Sequence, residues 1–240
     1  MNKRKDFFKG IRDGMPIGIG YLSVAFAFGI FAVSNGLTSL EALFISLTNL
    51  TSAGQLAAVP IIAGGGAFIE IIVSQLVINL RYALMSVSLS QKLNKGVKFG
   101  ERFIIAFGNT DEIFAVAMSN KNDVSSFYMY GLMTAPIIGW SGGTLLGAVA
   151  GNILPAIIIS ALGVAIYGMF IAVVVPKIKK EKVTALCVAF SVVLSCLFKY
   201  MPLLKDVPSG FVIIICAIIA SAVFAVLAPV SDNEEVPADA

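Results

Sequence analysis

The sequence predicts an all-α, polytopic integral membrane protein: a helical bundle of six to eight hydrophobic segments, one or two of them discontinuous or re-entrant. Three observations carry this. Of the 240 residues, 58% are hydrophobic and only 13% are charged, where a soluble domain carries about 25% charged residues. The apolar residues lie in long runs, several of them near the ~20 residues that a helix needs to cross a bilayer. Those runs are continuous and do not alternate residue by residue, which rules against a β-barrel.

Composition also removes chemistry. There is no histidine, so the commonest metal ligand and the commonest general base are absent. Cys187, Cys196 and Cys216 all lie in apolar runs without metal or redox spacing, and read as small packed hydrophobes. No metal site and no cofactor is expected. An enzyme is not expected either, because a nucleophile–base pair would have to come from Ser/Lys or acid-only chemistry. The formal charge of +3 sits in short loops, so membrane lipid is an expected neighbour and nucleic acid is not.

Residues 1–14 are basic, with Lys3, Arg4, Lys5, Lys9 and Arg12. They resemble a signal n-region, but the apolar run that follows is long and lacks a small-residue cleavage site. They are read as a cytoplasmic lead-in to a single transmembrane domain over 15–230. The first span covers 15–33, where Gly18, Gly20 and Gly29 permit close helix approach and Pro16 is expected in the first turn. The second segment, 40–63, is interrupted at its middle by Thr48-Asn-Leu-Thr-Ser-Ala-Gly-Gln55. A hydrophobic segment broken by Gly and polar residues marks a discontinuous helix, whose freed N–H and C=O groups can hold substrate or ions. Interhelical hydrogen bonding within an unbroken helix is the alternative.

Gly64-Gly65-Gly66 then turns the chain into the span 69–90, which contains Arg81. At about 100° per residue, Gln75, Asn79, Tyr82 and Ser86 share one stripe, while Glu70, Ser74, Arg81 and Ser88 share a second. The remaining arc, including Ile72, Leu76, Leu80 and Leu84, is wholly apolar. An arginine in hydrocarbon is costly, so the polar front is expected to face protein or water. Residues 91–102 form a basic loop. The next run, 103–118, is short and centres on Asn109-Thr110-Asp111-Glu112. Two carboxylates there are as costly as Arg81 and opposite in sign, so contact between the two segments would lower both costs.

Further segments follow over 128–150, 153–175, 183–198 and 211–230, with a basic loop over 176–182 and an acidic tail, 231–240, expected to be disordered. The pattern Pro16-Ile17, Gly20-Tyr21, Gly29, Ala32 returns as Pro136-Ile137, Gly139-Trp140, Gly147, Ala150. This suggests repeat halves over 15–122 and 123–230. Basic residues flank the membrane at the N-terminus, at 91–102 and at 176–182. Simple alternation over eight segments would put the middle loop on the wrong side of the positive-inside rule. The conflict disappears if the two segments with polar centres are re-entrant or incomplete.

Four motifs, taken in order, carry a resemblance. GMPIGIGYLSVAFAFG, TSAGQLAA, INLRYALMSVSLS and NTDEIFAVA resemble AzlC-type branched-chain amino-acid permeases, the large subunits of the bacterial LIV-E exporters. The resemblance covers nearly the whole chain and is densest before Ala117. It departs from the usual pattern in the order of small residues before Gln55, and at Tyr82, where a His often follows the arginine. It implies export of leucine, isoleucine, valine or analogues across a bacterial cytoplasmic membrane, proton-coupled, with a small hydrophobic partner subunit of the AzlD type. A channel or a non-transporting structural subunit is the alternative. The expected site comprises Thr51, Ser52, Gly54, Gln55, Asn79, Arg81, Asn109, Thr110, Asp111 and Glu112. Arg81 would meet a carboxylate, and Asp111 or Glu112 an ammonium group or a proton. Leu56, Phe107 and Phe114 are expected to hold the apolar side chain.

Overall fold

A computed structural model of the chain describes residues 3–155, 181–202, 204 and 207–228, with isolated positions between 157 and 179. Most of the predicted segment 153–175 therefore lies outside the described residues, as do Lys177, Lys180 and the acidic tail. The regular structure among the described residues is helical. It comprises α1 (Lys3–Ser34), α2 (Ser39–Thr48), α3 (Ala53–Ala63), α4 (Phe68–Lys92), α5 (Phe99–Phe107), α6 (Asp111–Met118), α7 (Ser126–Gly151), α8 (Lys182–Tyr200) and α9 (Ser209–Leu227). Of these, α1, α4, α7, α8 and α9 are long and apolar enough to cross a bilayer.

The basic lead-in is the first part of α1, which starts at Lys3. Pro16 accordingly lies inside the helix and not in its first turn. Helix α7 already supports α1 at Gly10, and neighbouring helices let a membrane helix absorb an internal proline.

Helices α1 and α7 form the axis of the molecule. A Cβ built on Gly10, Gly14, Gly18 or Gly29 would collide with α7 backbone, and one on Gly131, Gly139, Gly143 or Gly147 with α1 backbone. The contacts advance in the same direction along both helices, so the two run parallel. Small residues at four-residue spacing give two backbones this approach, and close packing with no hydrophobic drive is what holds helices together in lipid.

Two helical hairpins pack on this axis from opposite ends. Ser39, at the start of α2, bonds Asn152 just beyond α7. Val59 of α3 shares a core with Leu37, Ala42, Phe28 and Ala148 at that same end. Between the two arms, Leu50 reaches Ala25 and Trp140 at mid-height. The α2–α3 hairpin thus enters from the face opposite the N-terminus, turns at mid-height and goes back. The α5–α6 hairpin does the reverse. Its base lies beside Lys3 and Phe127, its tip residue Thr110 reaches Tyr21 in mid-α1, and Asn120 returns to Lys9. Both interrupted segments are therefore re-entrant.

That arrangement removes the conflict over the basic loops. The amide of Asn94, just past α4, bonds the Val124 carbonyl just before α7, so the 91–102 loop shares the face of the N-terminus. At the opposite face, the Gly210 amide at the start of α9 donates to Glu70 Oε1 at 2.8 Å. Helix α8 packs antiparallel on α9, with Phe190 against Phe224, which returns Lys182 to the N-terminal face. The apolar arc of α4 is exposed as its periodicity predicts, at Ile72, Leu76, Leu80 and Leu84. Of its polar front, Gln75, Arg81 and Ser86 meet the hairpins, while Glu70 meets α9.

Candidate functional site

The site forms where the two hairpins break. In the first, α2 ends at Asn49 in extended backbone, and Ser52 takes φ +46°, the only positive φ at a non-glycine among the described residues. Short polar side chains suit such a break because they offer the backbone alternative partners. Thr51 donates to Asn49 Oδ1 at 2.7 Å, Asn49 Nδ2 to Gln75 Oε1 at 3.2 Å, and Gln75 Nε2 to the Gly54 carbonyl at 2.8 Å. Asn79 Nδ2 also donates to Gln75 Oε1, at 3.1 Å. Thr51, Gly54 and Asn79 therefore form a knot that ties this tip to α4.

In the second hairpin, α5 ends at Gly108 and Thr110 caps α6, accepting from the Ile113 amide. Asn109 is buried and donates weakly to Ser86 Oγ at 3.4 Å. Both stripe residues and tip residues thus meet as the spacing implies.

The expected charge pairing is present. Arg81 Nη2 lies 2.9 Å from Asp111 Oδ2, with the two side chains 48% and 45% exposed. The pair is only half covered by this chain, which leaves both groups open to exchange with other partners. The Arg81 guanidinium also stacks 4.9 Å over the Tyr82 ring. Glu112 has different company: the Tyr21 hydroxyl donates to its carboxylate and also contacts Thr110 Oγ1 at 2.8 Å.

The tips converge on a cavity of about 260 Å³ lined by Ile17, Gly20, Tyr21, Val24, Leu50, Ser52, Tyr82, Thr110, Asp111, Glu112 and Trp140. Its lining combines two carboxylates and the Tyr21 hydroxyl with the apolar side chains of Ile17, Val24 and Leu50 and the indole of Trp140, against which Tyr21 packs edge-on at 5.2 Å. Of the ten expected site residues, Ser52, Thr110, Asp111 and Glu112 line this space, and Arg81 reaches it through Asp111. Thr51, Gly54, Gln55, Asn79 and Asn109 stand behind it. Gln55 is wholly buried, accepting from Trp140 Nε1 at 2.9 Å and donating to Ser46 Oγ at 3.0 Å. Leu56, Phe107 and Phe114 do not line the cavity. Leu56 belongs to the core around Phe28, Phe114 to the core around Ile113, and Phe107 is exposed. Residues of α1 and α7, with Leu50 of the first hairpin, line the cavity in their place.

A protein-family model described as AzlC protein matches residues 16–154, which takes in most of α1, both hairpins, α4 and α7. The chain belongs to the AzlC family. Among other members of similar sequence, an uncharacterized membrane protein of Archaeoglobus fulgidus is 33% identical over 77% of this chain and 82% of its own length. The inner membrane protein YgaZ of Escherichia coli is 29% identical over 78% of each chain. The branched-chain amino acid transport protein AzlC of Bacillus subtilis is 22% identical over 76% of this chain and 73% of its own. No solved structure matches the chain. The AzlC-family match thus covers the cavity and every residue lining it, including Tyr21 and Trp140, which sequence reasoning did not place in the site. Both carried one signal: they are amphipathic aromatics in the middle of glycine-rich spans, far from the interfacial belts where Tyr and Trp usually sit.

Proposed function

We propose that this AzlC-family protein is a secondary transporter exporting branched-chain or similarly apolar amino acids, with the mid-height cavity as its substrate site. One observation carries the reading. A space of about 260 Å³, below the ~300–1,000 Å³ typical of drug-sized pockets, is lined by two carboxylates and by apolar side chains, and Arg81 pairs with one of those carboxylates. That combination suits a zwitterion with a hydrocarbon side chain. Arg81 takes the substrate carboxylate, exchanging it for Asp111, and Glu112 takes the ammonium group, exchanging it for the Tyr21 hydroxyl. Trp140, Leu50, Val24 and Ile17 take the side chain.

Glu112 accepts from the Tyr21 hydroxyl, whereas Asp111 faces a guanidinium, and Glu112 pairs with no cation among the described residues. It is therefore the acid that can accept a coupling proton without breaking an ion pair. The name of the Bacillus subtilis relative supports the substrate class. Basic residues gathered on the N-terminal face support a cytoplasmic N-terminus by the positive-inside rule. The small AzlD-type subunit remains part of this proposal, because Arg81 and Asp111 are half-exposed at membrane depth.

Leucine counterflow in proteoliposomes, with and without the small subunit, tests the reading. Arg81→Gln removes a charge-assisted hydrogen bond worth ~1.5–3 kcal/mol, so counterflow is expected to fall ~10–100-fold at unchanged membrane expression. Unaltered counterflow would remove Arg81 from the site. The same half-exposed ion pair would also suit a water-filled channel. Saturable counterflow against a gradient separates the two, since a channel gives neither saturation nor accumulation.

A further inference from the structure

The two hairpins are built alike in outline and held in opposite ways. The body of α2–α3 is locked by buried polar bonds. Ser46 and Thr144 have their hydroxyls 2.7 Å apart, Gln55 joins Ser46, and Trp140 joins Gln55. Ser46, Gln55 and Thr144 are fully buried, so sliding this hairpin along α7 would strand polar groups away from water. Its tip is tied to α4 through Gln75 as well.

The body of α5–α6 has no such lock among the described residues. Ile105, Ile113 and Ala117 pack on Leu89, Met129 and Leu132 through apolar contact alone. Such contact is non-directional and tolerates small rearrangement. The polar ties of this hairpin are confined to its ends. At its base, Asn120 is held by Lys9 and Tyr128, and Glu101 bonds Ser126 and Tyr130 of α7. At its tip, Asp111 meets Arg81, Glu112 meets Tyr21, and Asn109 reaches Ser86 only at 3.4 Å.

We propose that the α5–α6 hairpin is the moving gate of the cavity and the α2–α3 hairpin its fixed wall, with the Asp111–Arg81 and Glu112–Tyr21 contacts as the latch. The inference rests on the reading of the cavity as a transport site. It adds that the groups closing the gate are those the substrate must engage. A carboxylate arriving at Arg81 competes with Asp111, and an ammonium group arriving at Glu112 competes with Tyr21. Binding therefore acts differently on the closed and open forms, which is what a ligand must do to shift a conformational equilibrium. The polar ties at the hairpin's base lie on the N-terminal face, so release of the latch displaces its tip, where the cavity is.

The test uses the full-length chain, reconstituted with the small subunit, after Cys187→Ala, Cys196→Ala and Cys216→Ala. One variant adds Gly108→Cys and Met133→Cys, because a Cβ on Gly108 lies against the Met133 side chain and a disulfide there pins the α5–α6 tip to α7. The other adds Ser46→Cys and Thr144→Cys, pinning α2 to α7. Oxidation is expected to abolish leucine counterflow in the first pair and spare it in the second, with reduction restoring the first. Loss in the second pair, or persistence in the first, overturns the assignment. Hydrogen exchange on the unmodified protein serves as a second measurement that needs no transport and no variant to fold. Amides of residues 99–118 are expected to exchange faster than those of 39–63, and equal or reversed rates overturn the gate. Absent counterflow in the unmodified protein would count against the transport reading alone, and exchange would still decide the gate.

Discussion

Asp111 and Glu112 are neighbours in sequence with different partners, and their chemistry divides accordingly. Asp111 is held by a guanidinium and Glu112 by the hydroxyl of Tyr21. Glu112→Gln keeps the hydrogen-bonding shape but fixes the neutral form. It is expected to flatten the pH dependence of leucine transport, measured as counterflow over a pH series, and a mutant with the ordinary response would end its candidacy as the proton carrier. Gln55 belongs to a different class. Gln55→Ala leaves the Trp140 N–H and the Ser46 hydroxyl short of a partner in a fully buried position. A cost of about 2 kcal/mol follows, read as a fall of ~4–8 °C in Tm for a chain of this size. The Arg81–Asp111 contact was legible in the sequence because each charge is too costly in a membrane to stand alone. Tyr21 and Trp140 offered only their mid-span depth as a signal, and a ring at that depth can serve helix packing as well as a ligand.

At the scale of elements, the glycines of α1 and α7 decide how the axis is built. A side chain on Gly147 would enter the Phe26 backbone, whereas Gly142 on the same helix has open space around it. Gly147→Val is expected to cost ~1–3 kcal/mol or more through overpacking and to lower the yield of monodisperse protein. Gly142→Val is expected to leave both unchanged, and equal damage from the two would show that close approach is not what the glycines serve. The hairpins were half legible. Polar centres at 48–55 and 109–112 announced a break, since Asn, Thr and Ser compete with helical hydrogen bonding. Whether the chain then continued across or turned back depended on what each arm packed against. Ser46 against Thr144, and Asn120 against Lys9, are pairings across about a hundred residues that no local pattern encodes.

The whole molecule places the N-terminus, the 91–102 loop and the start of α8 on one face, and the glycine turn after α3 with the start of α9 on the other. Single cysteines at Lys95→Cys and Asn122→Cys should therefore react with an impermeant maleimide from one side of the membrane and Gly65→Cys from the other. Labelling of all three from the same side would break the re-entrant topology. The sequence by itself determined the membrane-helical class, the oily and polar faces of α4, and the residues that must find partners of opposite charge. These follow from periodicity and from the cost of placing a polar group in hydrocarbon, which act residue by residue. Only the tertiary structure decided that both broken segments turn back, that they enter from opposite faces, and that α1 and α7 supply the aromatic and apolar walls between their tips. Those outcomes depend on which backbones can approach closely and which buried polar groups reach one another, and such distances are properties of the packed chain.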